Sequence, residues 1–242
     1  MFYQKLLSTV AALILTVAVP VAGLAASNGS DSSDKKNERV LASLNISILI
    51  QDDLVSEVGN QLDMTREFIR SLPAGSRVMV GYITSGSLQV RQPFTTDLAR
   101  ASNSLRIPIS SGSASPYNPY VEVIEALRHF NQGQGRNVVL LISDGLDTSH
   151  GFDSSSAGNT MDLLRAIKRA NDRNVSVYTF YAPSVGLTSR SMIAASYGQS
   201  SLNRLADETG GKAFSQGSSF VTFSPYFKRL RAALNDQIAR AY

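Results

Sequence analysis

Cysteine and tryptophan are absent from this 242-residue chain, and histidine occurs only twice. Without cysteine there is no disulfide, no zinc–thiolate or iron–sulfur centre, no thiol nucleophile and no lipid anchor on an N-terminal cysteine. Charge is sparse: 17% of residues are Asp, Glu, Lys or Arg, with 23 basic against 19 acidic. The basic residues are scattered rather than clustered, so a nucleic-acid partner is not expected. What the chain does have is 43% hydrophobic residues, ample for a packed core.

The N-terminus reads as a separate unit. Lys5 precedes an apolar run from Leu6 to Val19, then Pro20 and the small-residue stretch Ala22-Gly23-Leu24-Ala25-Ala26. A basic start, a hydrophobic middle and small residues at a cleavage point predict a signal peptide over 1–26. The protein is then secreted or periplasmic, with no membrane span after signal cleavage. The alternative is a membrane anchor left uncleaved. Residues 27–39, SNGSDSSDKKNER, form a flexible linker, since almost nothing in them can be buried. A single domain is expected over 40–242.

Within it, strand and helix signals alternate. Ile46–Ile50, Val78–Ile83, Val138–Ile142 and Val175–Tyr181 are short runs rich in β-branched and aromatic residues, most of them nearly continuously apolar. Strands buried on both faces read this way. Between them Val58, Leu62, Phe68, Ile69 and Leu72 share a helical face that Pro73-Ala74-Gly75 ends. Val121, Ile124 and Leu127 form a second stripe, and Met161, Leu164 and Ile167 a third. A helix around Ser201–Glu208 stops at Gly210-Gly211, and a last one places Phe227, Leu230, Leu234 and Ile238 together. Its Lys228, Arg229, Arg231 and Arg240 read as a solvated face. The alternation predicts an α/β fold: a Rossmann-like open, mostly parallel sheet flanked by helices on both faces.

Ligands of such sheets sit beyond the carboxyl ends of the strands. Gln51-Asp52-Asp53 follows one strand and Ser143-Asp144-Gly145 another. A hydroxyl-rich loop, Ser110 to Pro116, precedes a helix. Carboxylates and hydroxyls from three loops are hard oxygen donors of the kind Mg²⁺ takes. The plainer reading is local: Asp52 and Asp53 capping the next helix, and Asp144-Gly145 making a turn. The segment Leu146–Asn159, with Asp147, caps the following helix at Asn159 or Thr160 and shapes the rim of the site.

An apolar strand followed by an acid, a Gly/Ser loop with a hydroxyl before Pro116, and the run Val138-Val139-Leu140-Leu141-Ile142-Ser143-Asp144-Gly145 resemble the von Willebrand factor type A (VWA) domain. The likeness spans nearly all of Val40 to Tyr242 and extends in style to VWA proteins exported by acidobacteria. It implies an adhesion or scaffold module rather than an enzyme. It also implies a Mg²⁺ held by an Asp-x-Ser-x-Ser motif, a middle-loop Thr and a later Asp, with a partner carboxylate completing the shell. Carried onto this chain, the metal positions are Asp52, Ser56, Ser115 and Asp144, with Asp53, Ser113 and Asp147 on the partner-binding surface. The first motif is broken. From Asp52 it reads Asp52-x-Leu54-x-Ser56; from Gln51 it reads Gln51-x-Asp53-x-Val55.

The expectation is therefore an exported protein-binding module with a degenerate metal-ion-dependent adhesion site, its protein partner unidentified. An envelope protein that binds through loops and helices without an ion is a related reading. Among enzymes, no Gly-x-Ser-x-Gly elbow, dinucleotide glycine loop or phosphate-binding Lys loop is present. A Mg²⁺-dependent hydrolase using Asp52, Asp53 and Asp144 is the strongest alternative.

Overall fold

The computed structural model describes residues 44–110, 117–131, 135–152, 160–217 and 221–240. Six strands form one sheet: β1 (Leu44–Gln51), β2 (Arg77–Thr84), β3 (Ser87–Thr95), β4 (Arg136–Ser143), β5 (Val175–Tyr181) and β6 (Ala213–Phe214). Their order is β3-β2-β1-β4-β5-β6. All neighbours are parallel except β2 and β3, an antiparallel hairpin at one edge. The fold class read from the sequence is the one observed.

All eight residues of β1 are buried, because helices cover both faces of the sheet. Successive side chains alternate between those faces. Ile46, Ile48 and Ile50 of β1, with Val138, Leu140 and Ile142 of β4, point into one core. That core is closed by α1 (Leu62–Arg70), α2 (Leu98–Asn103) and α6 (Ser224–Arg240). Leu49, Val139 and Leu141 point into the other. There α3 (Pro119–Leu127), α4 (Met161–Asp172) and α5 (Met192–Glu208) lie across the sheet. Each fully buried Ile or Leu contributes about 1.5–3 kcal/mol. In the first core Phe180 packs against Phe214, Phe223, Tyr226 and Phe227 with ring centroids 4.9–5.5 Å apart, which fixes α6 to the sheet.

Three details differ from the sequence reading. The hairpin strand β3 was not expected; its burial alternates along an exposed edge instead of running continuously apolar. The stripes assigned to α3 and α4 are rotated: α3 buries Tyr120, Val123, Ala126 and Leu127 while Val121 is exposed, and α4 buries Leu163, Ala166, Ile167 and Ala170 while Met161 is exposed. The helix before Gly210 begins at Met192 rather than near Ser201. The Thr160 hydroxyl accepts from the Leu163 N–H and caps α4. Among the described residues, no helix is long and apolar enough to cross a membrane.

Candidate functional site

The parallel strands β1, β4 and β5 end together, and the segments that follow them meet above the sheet. After β1 the chain does not turn at once into a helix. Residues 53–55 run across to the segment following β5, where the Val185 N–H donates to the Asp53 carbonyl at 2.9 Å and the Val55 N–H to the Pro183 carbonyl at 3.0 Å. Leu54 and Ser184 form a bridge between these segments. Since β4 lies between β1 and β5, this strap crosses the end of β4 and sets Asp53 over Asp144.

Alternation separates the two adjacent acids. Asp52 continues the Ile48–Ile50 side toward α1 and α2. It is buried, and its carboxylate is taken by the Arg106 guanidinium, Nη1 to Oδ1 at 2.6 Å and Nη2 to Oδ2 at 2.8 Å. The Ile109 N–H donates to Oδ1 as well, at 2.9 Å. Arg106 lies 4.0 Å over the Tyr82 ring, and the Tyr82 hydroxyl donates to the Arg106 carbonyl. The ion pair therefore fastens the segment after α2 to the end of β1, and holds the Arg106 proton more tightly than usual.

Gln51 faces the other side. Its Nε2 donates to Asp53 Oδ1 at 2.7 Å, and its Oε1 accepts from the Ser143 hydroxyl at 2.5 Å and the Asp144 N–H at 3.3 Å. Asp144 is buried; its Oδ1 accepts from the Leu146 N–H at 3.1 Å and its Oδ2 from the Thr188 hydroxyl at 3.2 Å. Burial raises the Asp144 carboxyl, against those hydrogen bonds. Burial, and then the charge of Asp144, push the half-buried Asp53 carboxyl from 3.8 to about 7. Tyr181, at the end of β5, is pushed up to about 12 by burial and by Asp144. Its hydroxyl is buried near Thr188 and Gln199 and, among the described residues, has no hydrogen bond at ordinary distance.

Backbone contact sets this geometry. Gly145 has φ +74, and a Cβ on it would fall 2.3 Å from the Gly198 carbonyl. A Cβ on Gly198 would fall 1.9 Å from the Asp144 carbonyl. Only paired glycines let α5 press on the loop that carries Asp144.

The sequence-predicted residues are distributed as follows. Asp53 and Asp144 are brought together, and Asp52 ends at the same sheet edge but faces Arg106. Ser56 is exposed on the 3₁₀ turn Ser56–Gln61, and its hydroxyl donates to its neighbour Glu57 at 3.4 Å. Asp147 closes a local turn by accepting from the Ser149 N–H at 3.0 Å. Ser113 and Ser115 lie outside the described residues. Sequence reasoning missed Arg106, Tyr181, Ser184 and Thr188; nothing in their local sequence marks them.

The implied Mg²⁺ is tested by this donor set. Mg²⁺ requires near-octahedral oxygen geometry. Here both oxygens of Asp52 are held by a guanidinium, Ser56 points elsewhere, and a neutral amide at position 51 already bonds Asp53. Among the described residues, no group of three or more His, Asp or Glu side chains is arranged to hold an ion. The described residues do not fit the metal.

In overall structure the chain is similar to an aerotolerance-related membrane protein from Bacteroides fragilis NCTC 9343 carrying multiple mutations to serines. That match has 12% sequence identity and a TM-score of 0.56, and covers 80% of this chain and 100% of that one. Conserved hypothetical protein BatB from Bacteroides thetaiotaomicron matches at 12% identity and a TM-score of 0.56, over 82% of this chain and all of that one. The fold is VWA-like. The VWA domain of SpRpn10 is also matched, at 14% identity and a TM-score of 0.47, over 81% of this chain and 95% of that one. No protein-family model matches the sequence, and no curated protein matches it. At 12% identity the first two likenesses speak for the fold alone.

Proposed function

We propose that this VWA-like domain is an exported protein-binding module that engages its partner at the carboxyl edge of the sheet. One observation carries the reading. Ile107 and Ile109, on the segment that Asp52 fastens, are 63% and 66% exposed, and Met192 and Ile193, in the first turn of α5, are 79% and 62% exposed. In an α/β sheet the helix that follows a strand begins at this edge, so Met192 and Ile193 stand at it, as does Ile109, whose N–H bonds Asp52. Large apolar side chains exposed together at one edge are a feature of interaction surfaces. The adhesion or scaffold role implied by the fold agrees with this placement. The hydrolase alternative has less support, because Asp52 is already bound by Arg106.

A photoreactive amino acid at position 109 or 193 tests the reading against one at Met64, an exposed residue of α1 on another face. Specific envelope-protein adducts from 109 and 193 but not from 64 are expected. Equal labelling from all three positions contradicts it. Export rests on the leader over 1–26 and the linker over 27–39; a mature chain that retains Met1 contradicts that part of the proposal.

A further inference from the structure

The chemistry of the partner group follows from how the acidic centre is satisfied. We propose that the Asp53–Asp144 centre receives a basic side chain of the partner, lysine or arginine, directly and with no metal ion between them. The inference rests on the reading of this edge as a docking face and adds what the face recognises.

Two carboxyls share this centre. Asp53 is half-buried and accepts a side-chain hydrogen bond from the neutral Gln51 amide, and Asp144 is buried against hydroxyl and backbone donors. Arg106, which packs against the same strand end, is engaged with both oxygens of Asp52. A second observation points to a missing donor. The Tyr181 hydroxyl is buried near Thr188 and Gln199, sits in the field of Asp144 and, among the described residues, has no partner at hydrogen-bond distance, and a buried polar atom left so is uncommon.

A divalent cation would be held through carboxylates free of other partners, but Asp52 is taken by Arg106, position 51 is a neutral amide bonded to Asp53, and among the described residues no group of three or more His, Asp or Glu side chains is arranged to hold an ion. An ammonium or guanidinium needs only a few acceptors at hydrogen-bond distance; the half-buried Asp53 carboxylate offers its oxygens, with the Tyr181 hydroxyl buried behind it beside Asp144. Its aliphatic stem would lie along apolar side chains exposed to water at this edge. A partner carboxylate, which an ion would recruit, is repelled here by the two acids.

Random peptides displayed on phage and selected on the full chain, in parallel with EDTA and with Mn²⁺, test this. Selected peptides are expected to carry Lys or Arg and to bind equally in both conditions. Their affinity should fall about thirtyfold or more with Asp53→Asn. It should fall less with Tyr181→Phe and stay unchanged with Asp63→Asn, an exposed acid of α1. Peptides that carry Asp or Glu and require Mn²⁺ overturn the inference, as do basic peptides indifferent to Asp53→Asn. In either case binding that is still lost with Ile109→Asp or Ile193→Asp leaves the docking face standing. Peptides indifferent to those changes as well remove the docking face, and the inference with it.

Discussion

Gln51 and Asp53 are joined by a 2.7 Å hydrogen bond from amide nitrogen to carboxylate oxygen, and the oxygen of the same amide accepts from Ser143. A neutral side chain thus ties the ends of β1 and β4 at a point where the VWA resemblance implies an acid and an ion. The negative charge that remains is carried by Asp53 and Asp144, while Asp52 is neutralised from the opposite side of the sheet.

That ion pair is structural, and its loss is predicted to be costly. Asp52 is buried, so Arg106→Ala leaves a carboxylate without its counter-charge and frees the segment bearing Ile107 and Ile109. A loss of about 3 kcal/mol is expected. Urea unfolding checks it; a variant within experimental error of wild type would contradict the role given to Asp52.

Stability should also depend on pH through Asp53. In the unfolded chain its carboxyl ionises near 3.8, and in the folded protein near 7. Between those values the folded protein holds a proton that the unfolded chain has released. This group's contribution is therefore greatest below about pH 4 and declines as pH rises to about 7. Asp144, raised in the same direction, adds to the decline. Urea midpoints across this range should fall less steeply in Asp53→Asn than in wild type. Identical slopes would show that Asp53 titrates as an ordinary exposed acid.

The glycine pair predicts a backbone effect. With Gly198→Ala the new methyl meets the Asp144 carbonyl at 1.9 Å, and α5 must move. A destabilisation of about 3 kcal/mol is expected. Gly186→Ala, where a Cβ meets nothing within 4 Å, is the control and should be near neutral. Thermal melting of the two variants decides it.

The legible parts of this molecule are those where both faces of an element do the same thing. β1 and β4 are apolar throughout because helices cover both sides, and they can be read from the sequence. β3 is a one-sided edge strand whose alternation carries little signal. The apparent stripes of α3 and α4 include Val121, Met161 and Leu164 because those residues stand near the helix starts at the sheet edge, where apolar side chains need not face the core. The acids Asp52, Asp53 and Asp144 are visible as candidates. Which of two adjacent acids faces which side depends on where β1 ends, and Arg106 enters from 54 positions away, so neither fact is written locally.

The direct test of an ion-free acidic centre is a crystal structure of the protein grown with MnCl₂, read by anomalous scattering at the manganese edge. The account predicts no manganese at Asp53 and Asp144, with the Gln51 amide still bonded to Asp53 and Ser143. A manganese ion bonded to Asp53 and Asp144, with Gln51 displaced, would contradict it.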